Sequence, residues 1–309
     1  MNYINPFRFL NPHLHTKPTD PQKNIQTSDT IVRNPPRIHR FQQDVRSVLQ
    51  MNHGFSDAIF ESLHFVHYTH HIVRTIKKQP SGFFRIINAY SLWGNGYYHF
   101  LTEVLPSVIS INKPYTIHCM ESSFAIPVFR WFSISNNVSF EKPTFVNVKE
   151  SLEQPYIECG NPSTQKIQLL RDQIRAKVTF SRKLGIIIFR KEPVRAILNH
   201  DQVLEMLKRV FPDLEWKTFN TLSIDSTAEL FSQAAIIVGP HGAGFTNMIF
   251  SDSGIRIIEF MPVEKPNLCY WHMAELLHNR YEMIPCHTVN GNFHIDIENV
   301  ESILTNYIP

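Results

Sequence analysis

The sequence predicts an α/β protein made of two doubly wound, Rossmann-like halves that face each other across a cleft. Three observations carry that expectation. β-Branched apolar runs such as Gly185-Ile186-Ile187-Ile188-Phe189 and Ala235–Val238 read as strands buried on both faces. Segments with apolar residues at helical spacing lie between such runs, so strand and helix alternate. A glycine turn, Gly239-Pro240-His241-Gly242-Ala243-Gly244, joins one of these strands to a following helix.

Taken in order, residues 1–40 carry Pro6, Pro12, Pro18, Pro21, Pro35 and Pro36 with few clustered apolar side chains, which predicts an extended arm. Residues 41–180 form the first half. Strands are expected at Phe83–Tyr90, Tyr115–Cys119 and Thr144–Val148, with helices at Tyr97–Ile111, Ala125–Phe132 and Thr164–Val178. Pro106 should kink the first of these helices or end it early. Residues 181–309 form the second half, opening with Arg182-Lys183 in a short polar linker. Its strands are Gly185–Phe189, Leu214–Phe219, Ala235–Val238, Arg256–Phe260 and, last, Tyr281–Ile284. Helices follow at Asp201–Phe211, Ala243–Phe250 and Leu268–His278, together with a C-terminal helix. The capping box Ser226-Thr227-Ala228-Glu229 should open one more.

Composition narrows the function. The chain has 309 residues, 43% apolar and 18% charged, enough for a sizeable core. A net charge of +3 and a pI near 8.6 fall short of a nucleic-acid footprint and suit an anionic small ligand. Cys119, Cys159, Cys269 and Cys286 are scattered without a C-x-x-C, which predicts reduced thiols rather than a zinc site. No apolar run reaches the ~18 residues of a membrane span, and the N-terminus lacks a signal-peptide core. A cytoplasmic protein is therefore expected, and the sequon Asn137-Val138-Ser139 is expected to be unused. His64, His67, His70 and His71 lack accompanying carboxylates or thiols at ligand spacing, and Lys77-Lys78 reads as a solvated pair. No D-x-D pair closes a strand, so no metal clamp for a diphosphate is expected.

The glycine turn has the geometry that aims backbone N–H groups at an anion. Gly239, Gly242, Ala243 and Gly244 would let a phosphate approach, and His241 can donate to phosphate or sugar oxygens. The spacing is neither G-x-G-x-x-G nor a P-loop. In a doubly wound sheet the strand ends converge on the ligand. That brings in Arg190, Arg195 and Asn199 after the Ile run, where an arginine can grip a diphosphate bidentately, although a solvated basic loop has the same composition. It also brings in Glu259, whose carboxylate at a strand end can accept ribose hydroxyls. Asn247 lies just beyond the turn. In the first half His99 and Glu103, four apart, share a helical face. By spacing alone that face reads as solvated; as an active pair it would line the cleft and supply a general base.

Four of these segments resemble elements of the family 61 glycosyltransferases, in family order over about residues 80–290. Gly94-Asn95-Gly96-Tyr97-Tyr98-His99-Phe100-Leu101-Thr102-Glu103-Val104-Leu105-Pro106 is similar to "Y-H-x-x-x-E/D-x-L-P". Phe189-Arg190 with Arg195 and Asn199 is similar to "S-R-x-x-x-x-R-x-x-x-N", with Phe189 where Ser is usual. Gly239–Asn247 and Ile257–Pro262 are similar to "G-x-H-G-A-x-x-x-N" and "I-E-x-x-P". The resemblance implies a GT-B fold and a metal-independent, inverting transfer from a UDP-sugar to a glycan or other hydroxyl acceptor. It also implies xylose as the favoured sugar, with N-acetylglucosamine and arabinose as the others. In that reading His99 or Glu103 is the base, Arg190, Arg195, His241 and the turn amides stabilise leaving UDP, and Glu259 holds the ribose. A catalytically inactive sugar-nucleotide-binding scaffold is the alternative from another class. A Rossmann oxidoreductase is disfavoured by the missing G-x-G-x-x-G.

Overall fold

In a computed structural model of the chain, the residues described are 32–33, 86–91, 93–109, 115–134, 137–141, 162, 164–190, 194–263 and 266–306. They fall into two compact units parted between Lys177 and Val178, with Ser223–Asp225 grouped with the N-terminal one. The strand expected at Thr144–Val148, the histidines at 64–71, Cys159, Lys77-Lys78 and all of the arm except Val32–Arg33 lie outside the described residues. Val32–Arg33 form β1, which joins the sheet of the C-terminal unit.

The N-terminal unit holds three short parallel strands, β2 (Ile86–Asn88), β3 (Thr116–His118) and β4 (Asn137–Ser139), adjacent in that order. β4 was not expected; it coincides with the sequon. The order does not reverse, so the described strands of this unit are singly rather than doubly wound. After β2 come α1 (Tyr97–His99), a π-helical turn (Phe100–Val104) and α2 (Leu105–Ile109). Pro106 therefore neither ends the helix nor stands alone as a kink. The Leu105 N–H reaches back five residues to the Phe100 carbonyl, and the widened turn accommodates the residue that has no N–H. α3 (Ala125–Trp131) and α4 (Thr164–Arg175) complete the unit. Phe100, Leu101, Leu105 and Phe129 are fully buried, with the Phe100 and Phe129 rings 5.1 Å apart.

The C-terminal unit runs β5 (Leu184–Ile188), α5 (His200–Val210), β6 (Glu215–Phe219), α6 (Ile224–Ser232) and β7 (Ala234–Pro240). A 3₁₀ helix (Ala243–Phe250), β8 (Arg256–Pro262), α7 (Cys269–Leu276) and β9 (Arg280–Cys286) follow. A small hairpin, β10 (Thr288–Val289) and β11 (Asn292–Phe293), and α8 (Ile297–Asn306) close it. Three expectations are corrected here. α6 begins two residues before Ser226, with Asp225 in its first turn, where the helix N-terminus favours a carboxylate. The segment 243–250 winds as 3₁₀ rather than α. β9 is not the last strand.

The sheet order is β1-β9-β8-β7-β5-β6, and β5 to β9 are parallel throughout. β1 pairs antiparallel with β9. Ile186, Ile187, Ile237 and Ile257 have no exposed surface, each worth about 1.5–3 kcal/mol on burial. α8 and α5 share one core, in which Val203 and Leu207 meet Val300 and Leu304. The chain order reverses between β5 and β7, since β6 lies on one side of β5 and β7, β8 and β9 lie on the other. A crevice opens at such a reversal, beyond the carboxyl ends of the two strands. Those ends are Ile188-Phe189-Arg190 and Gly239-Pro240-His241.

Candidate active site

The reversal point draws the basic residues and the glycine turn together. A Cβ built on Gly242 would overlap Nη1 of Arg190 and lie 3.8 Å from Nη1 of Arg195. The missing side chain thus makes room for two guanidinium groups against the turn. Arg195, itself at φ +64°, donates from Nη1 to the His241 carbonyl at 3.4 Å. Gly242 precedes the 3₁₀ helix, and no side chain caps its N-terminus. Two arginines beside amides that no side chain caps are an arrangement whose charge and donors suit an anion. Gly239 and Gly244 serve packing: a Cβ on either would come within 2.7 or 2.8 Å of the Ile188 side chain. Ala243 opens the 3₁₀ helix, and Asn247 donates from Nδ2 to the Gly244 carbonyl at 3.0 Å, bracing the turn.

Three strands then build a buried polar chain. Gly239 pairs with Glu259, and Ile257 pairs with Tyr281. Side chains two apart along a strand share a face, so His241, just past the end of β7, lines up diagonally with Glu259 on β8 and Tyr281 on β9. His241 Nδ1 lies 2.6 Å from Glu259 Oε1, and the Tyr281 hydroxyl donates to Oε2. An ionised Glu259 can only accept, so with it the shared proton sits on Nδ1 and Nε2 is the remaining ring nitrogen. Glu259 has no exposed surface, and both its oxygens are engaged within the protein. Burial pushes the Tyr281 phenol well above its usual range, and the Glu259 charge adds to that, so Tyr281 stays a donor. The buried Tyr270 ring lies 5.3 Å from the His241 ring.

Asn199 is tied to the backbone of residue 295. It donates from Nδ2 to the Ile295 carbonyl at 2.8 Å and accepts the Ile295 N–H at 2.9 Å. Beside Arg190 a cavity of about 760 Å³ is lined by Phe189, Asn199, His200, Asp201, Gln202 and His294 among others, within the usual size range of ligand sites. Phe189 packs edge-on against His200, with centroids 4.9 Å apart, so an apolar contact replaces the expected hydroxyl. Burial holds the His200 imidazole below its ordinary pKa, which keeps it neutral at pH 7. A second cavity, between α5 and α8, is lined by Asp201, Glu205, Glu298 and Glu301 with Arg209, a poor environment for an anion.

In the N-terminal unit, the face carrying His99 and Glu103 is not solvated. Glu103 has no exposed surface, whereas the His99 side chain is 27% exposed. The π turn accounts for this, because it buries all five residues from Phe100 to Val104. His99 Nδ1 lies 2.5 Å from Glu103 Oε1, and Ser91 Oγ donates to Oε2 at 2.9 Å. With Glu103 ionised, Nδ1 again carries the shared proton and Nε2 is the remaining ring nitrogen. Ser91 and Tyr281 escaped sequence reasoning, since only the three-dimensional register brings each hydroxyl to its carboxylate.

A family model described as Glycosyltransferase 61 matches residues 97–258, more than half the chain. The chain belongs to glycosyltransferase family 61. The matched span of this glycosyltransferase covers His99, Glu103, Arg190, Arg195 and the glycine turn and stops one residue before Glu259. No curated protein matches the chain. Among the described residues, no helix is long and apolar enough to cross a membrane, and no three His, Cys, Asp or Glu side chains gather as they would to hold a metal ion.

Proposed function

We propose that this family 61 glycosyltransferase has a GT-B arrangement and transfers a sugar, with inversion, from a UDP-sugar to a hydroxyl acceptor. Xylose is the first sugar to test, with N-acetylglucosamine and arabinose next. The observation that carries the reading is the partly exposed His99 held by a fully buried Glu103, which a merely solvated helix face would not require. His99 is the base and Glu103 its positioning residue, fixing the tautomer and stabilising the imidazolium that forms. His99 Nε2 takes the acceptor hydroxyl proton as the new C1–O bond forms. The bond from C1 to the UDP oxygen breaks on the opposite face, and the proton later passes to solvent.

Arg190, Arg195, the amides after Gly242 and His241 Nε2 offset the charge developing on departing UDP. The cavity beside Arg190 takes the nucleoside. Glu259 acts through His241 rather than on the ribose, because its oxygens are already engaged. Asn199, Asn247, Gly239 and Gly244 shape the site rather than touch the ligand.

Two measurements test this. Thermal shift across UDP-xylose, UDP-GlcNAc and UDP-arabinose should single out the donor, since a ligand that binds the native state raises the melting temperature. Transfer from that donor should persist in excess EDTA, because the cations of the site are supplied by arginine. A collapse restored by Mn²⁺ or Mg²⁺ would contradict the metal-free mechanism.

A further inference from the structure

Trp93 stands out once His99 is read as the base. It is 48% exposed, the one aromatic among the large exposed hydrophobic side chains of the described residues. An indole left half in water forgoes burial free energy that aromatic side chains otherwise gain. Nor is it displayed on a slack loop. Gly94 donates its N–H to the Ser91 carbonyl at 3.2 Å, and Gly96 donates to the Trp93 carbonyl at 2.8 Å. The same Ser91 holds Glu103 through its side chain, so one turn both presents the indole and fixes the carboxylate behind His99.

The indole and imidazole centroids are 6.2 Å apart, with their planes inclined at 36°. Gly96 lies beside them. A Cβ there would stand 3.5 Å from Cδ2 of His99, on the ring edge next to Nε2, and 3.2 Å from the Trp93 carbonyl. The missing side chain keeps the Nε2 edge of the imidazole open. Asn95, exposed in the same turn, adds an amide that can donate and accept. A flat apolar face, an adjacent amide and an open base nitrogen describe a particular ligand. A pyranose ring has one face of C–H groups, made slightly positive by neighbouring oxygens, and a rim of hydroxyls. Its C–H face complements the negative π-face of an indole, and its hydroxyls reach an amide and a base.

We propose that Trp93 is the platform on which the acceptor's sugar ring lies, and that the acceptor is a carbohydrate with a pyranose at its reacting end. This rests on the reading of His99 as base and extends it from any hydroxyl to a sugar hydroxyl.

Saturation-transfer NMR on the full chain tests it, with methyl β-glucopyranoside, methyl β-galactopyranoside and methyl β-xylopyranoside as probes and glycerol as the non-sugar hydroxyl. At least one pyranoside should receive saturation on its C–H face, and glycerol should not. The signal should be lost in Trp93→Ala and retained in Trp93→Tyr. UDP affinity should match wild type in both variants. In transfer assays Trp93→Ala should raise acceptor KM by roughly two- to tenfold, the scale of one aromatic contact, with donor KM unchanged. If no pyranoside binds, or if Trp93→Ala binds them as wild type does, the platform is wrong even where UDP still binds. If pyranosides bind through Trp93 while no UDP-sugar binds, the donor assignment fails and the platform stands.

Discussion

Each unit contains a histidine whose Nδ1 is held by a fully buried glutamate, and in each the second carboxylate oxygen takes a hydroxyl. The chain is His99–Glu103–Ser91 in the N-terminal unit and His241–Glu259–Tyr281 in the C-terminal unit. The first is local: one helical turn joins His99 to Glu103, and Ser91 comes from the turn just before that helix. The second spans three parallel strands. Their surroundings differ more than their bonds. His241 sits in a turn flanked by Arg190 and Arg195 and is 10% exposed at its side chain. His99 sits beside Trp93 with 27% of its side chain exposed. In the mechanism proposed above, one kind of hydrogen-bonded chain serves two purposes: among cations it offers a donor to an anion, and beside an open aromatic surface it offers a base to a hydroxyl.

The sharpest way to break that contrast is His99→Ala. Turnover should fall by roughly 10²–10⁴-fold, the usual contribution of a general base. Glu103→Gln should lower turnover as well, and the double variant should lose little more than His99→Ala alone, because the pair acts as a unit. Steady-state kinetics with a true acceptor checks both, and additive losses would show two independent roles.

Next in size is the donor side. Arg190→Ala and Arg195→Ala should each weaken UDP binding by about 1.5–3 kcal/mol, the range for a hydrogen bond to a charged group. Wild-type affinity by calorimetry would make them ordinary surface arginines.

A smaller effect should come from Gly244→Ala, whose Cβ would meet Ile188 at 2.8 Å. Overpacking of this kind costs about 1–3 kcal/mol, readable as a lower urea midpoint. An unchanged midpoint would mean that β5 can yield.

A last effect, on stability alone, concerns α7. Burial lifts the Glu275 carboxyl to about 7, above its unfolded value of about 4.3. The native state thus holds the proton more tightly. Stability should be fully present below the unfolded value, fall as pH rises through the native one and level off beyond it. Glu275→Gln should remove that decline, raising Tm at pH 8 and leaving it unchanged near pH 4.

Much of the C-terminal unit was readable in the sequence, because strands buried on both faces are near-continuous apolar runs and a glycine turn cannot be hidden. The burial of Glu103 was not. A helical wheel assumes α spacing, and the π turn at Phe100–Val104 rotates the face that such a wheel assigns. The partners of Glu259 were hidden for another reason: His241, just past β7, and Tyr281 on β9 lie 18 and 22 residues away, and only the sheet register joins them. Asn199 and Asn247 look like ligand contacts in a motif, but both are engaged with backbone groups of their own unit.

The division of labour between the two histidines is tested most directly by measuring UDP affinity and turnover side by side in His99→Ala and His241→Ala. His241→Ala should weaken UDP binding, and His99→Ala should bind UDP as wild type does while losing turnover. If His99→Ala loses UDP affinity, or if His241→Ala keeps it, the two histidine–glutamate pairs do not divide the reaction as described.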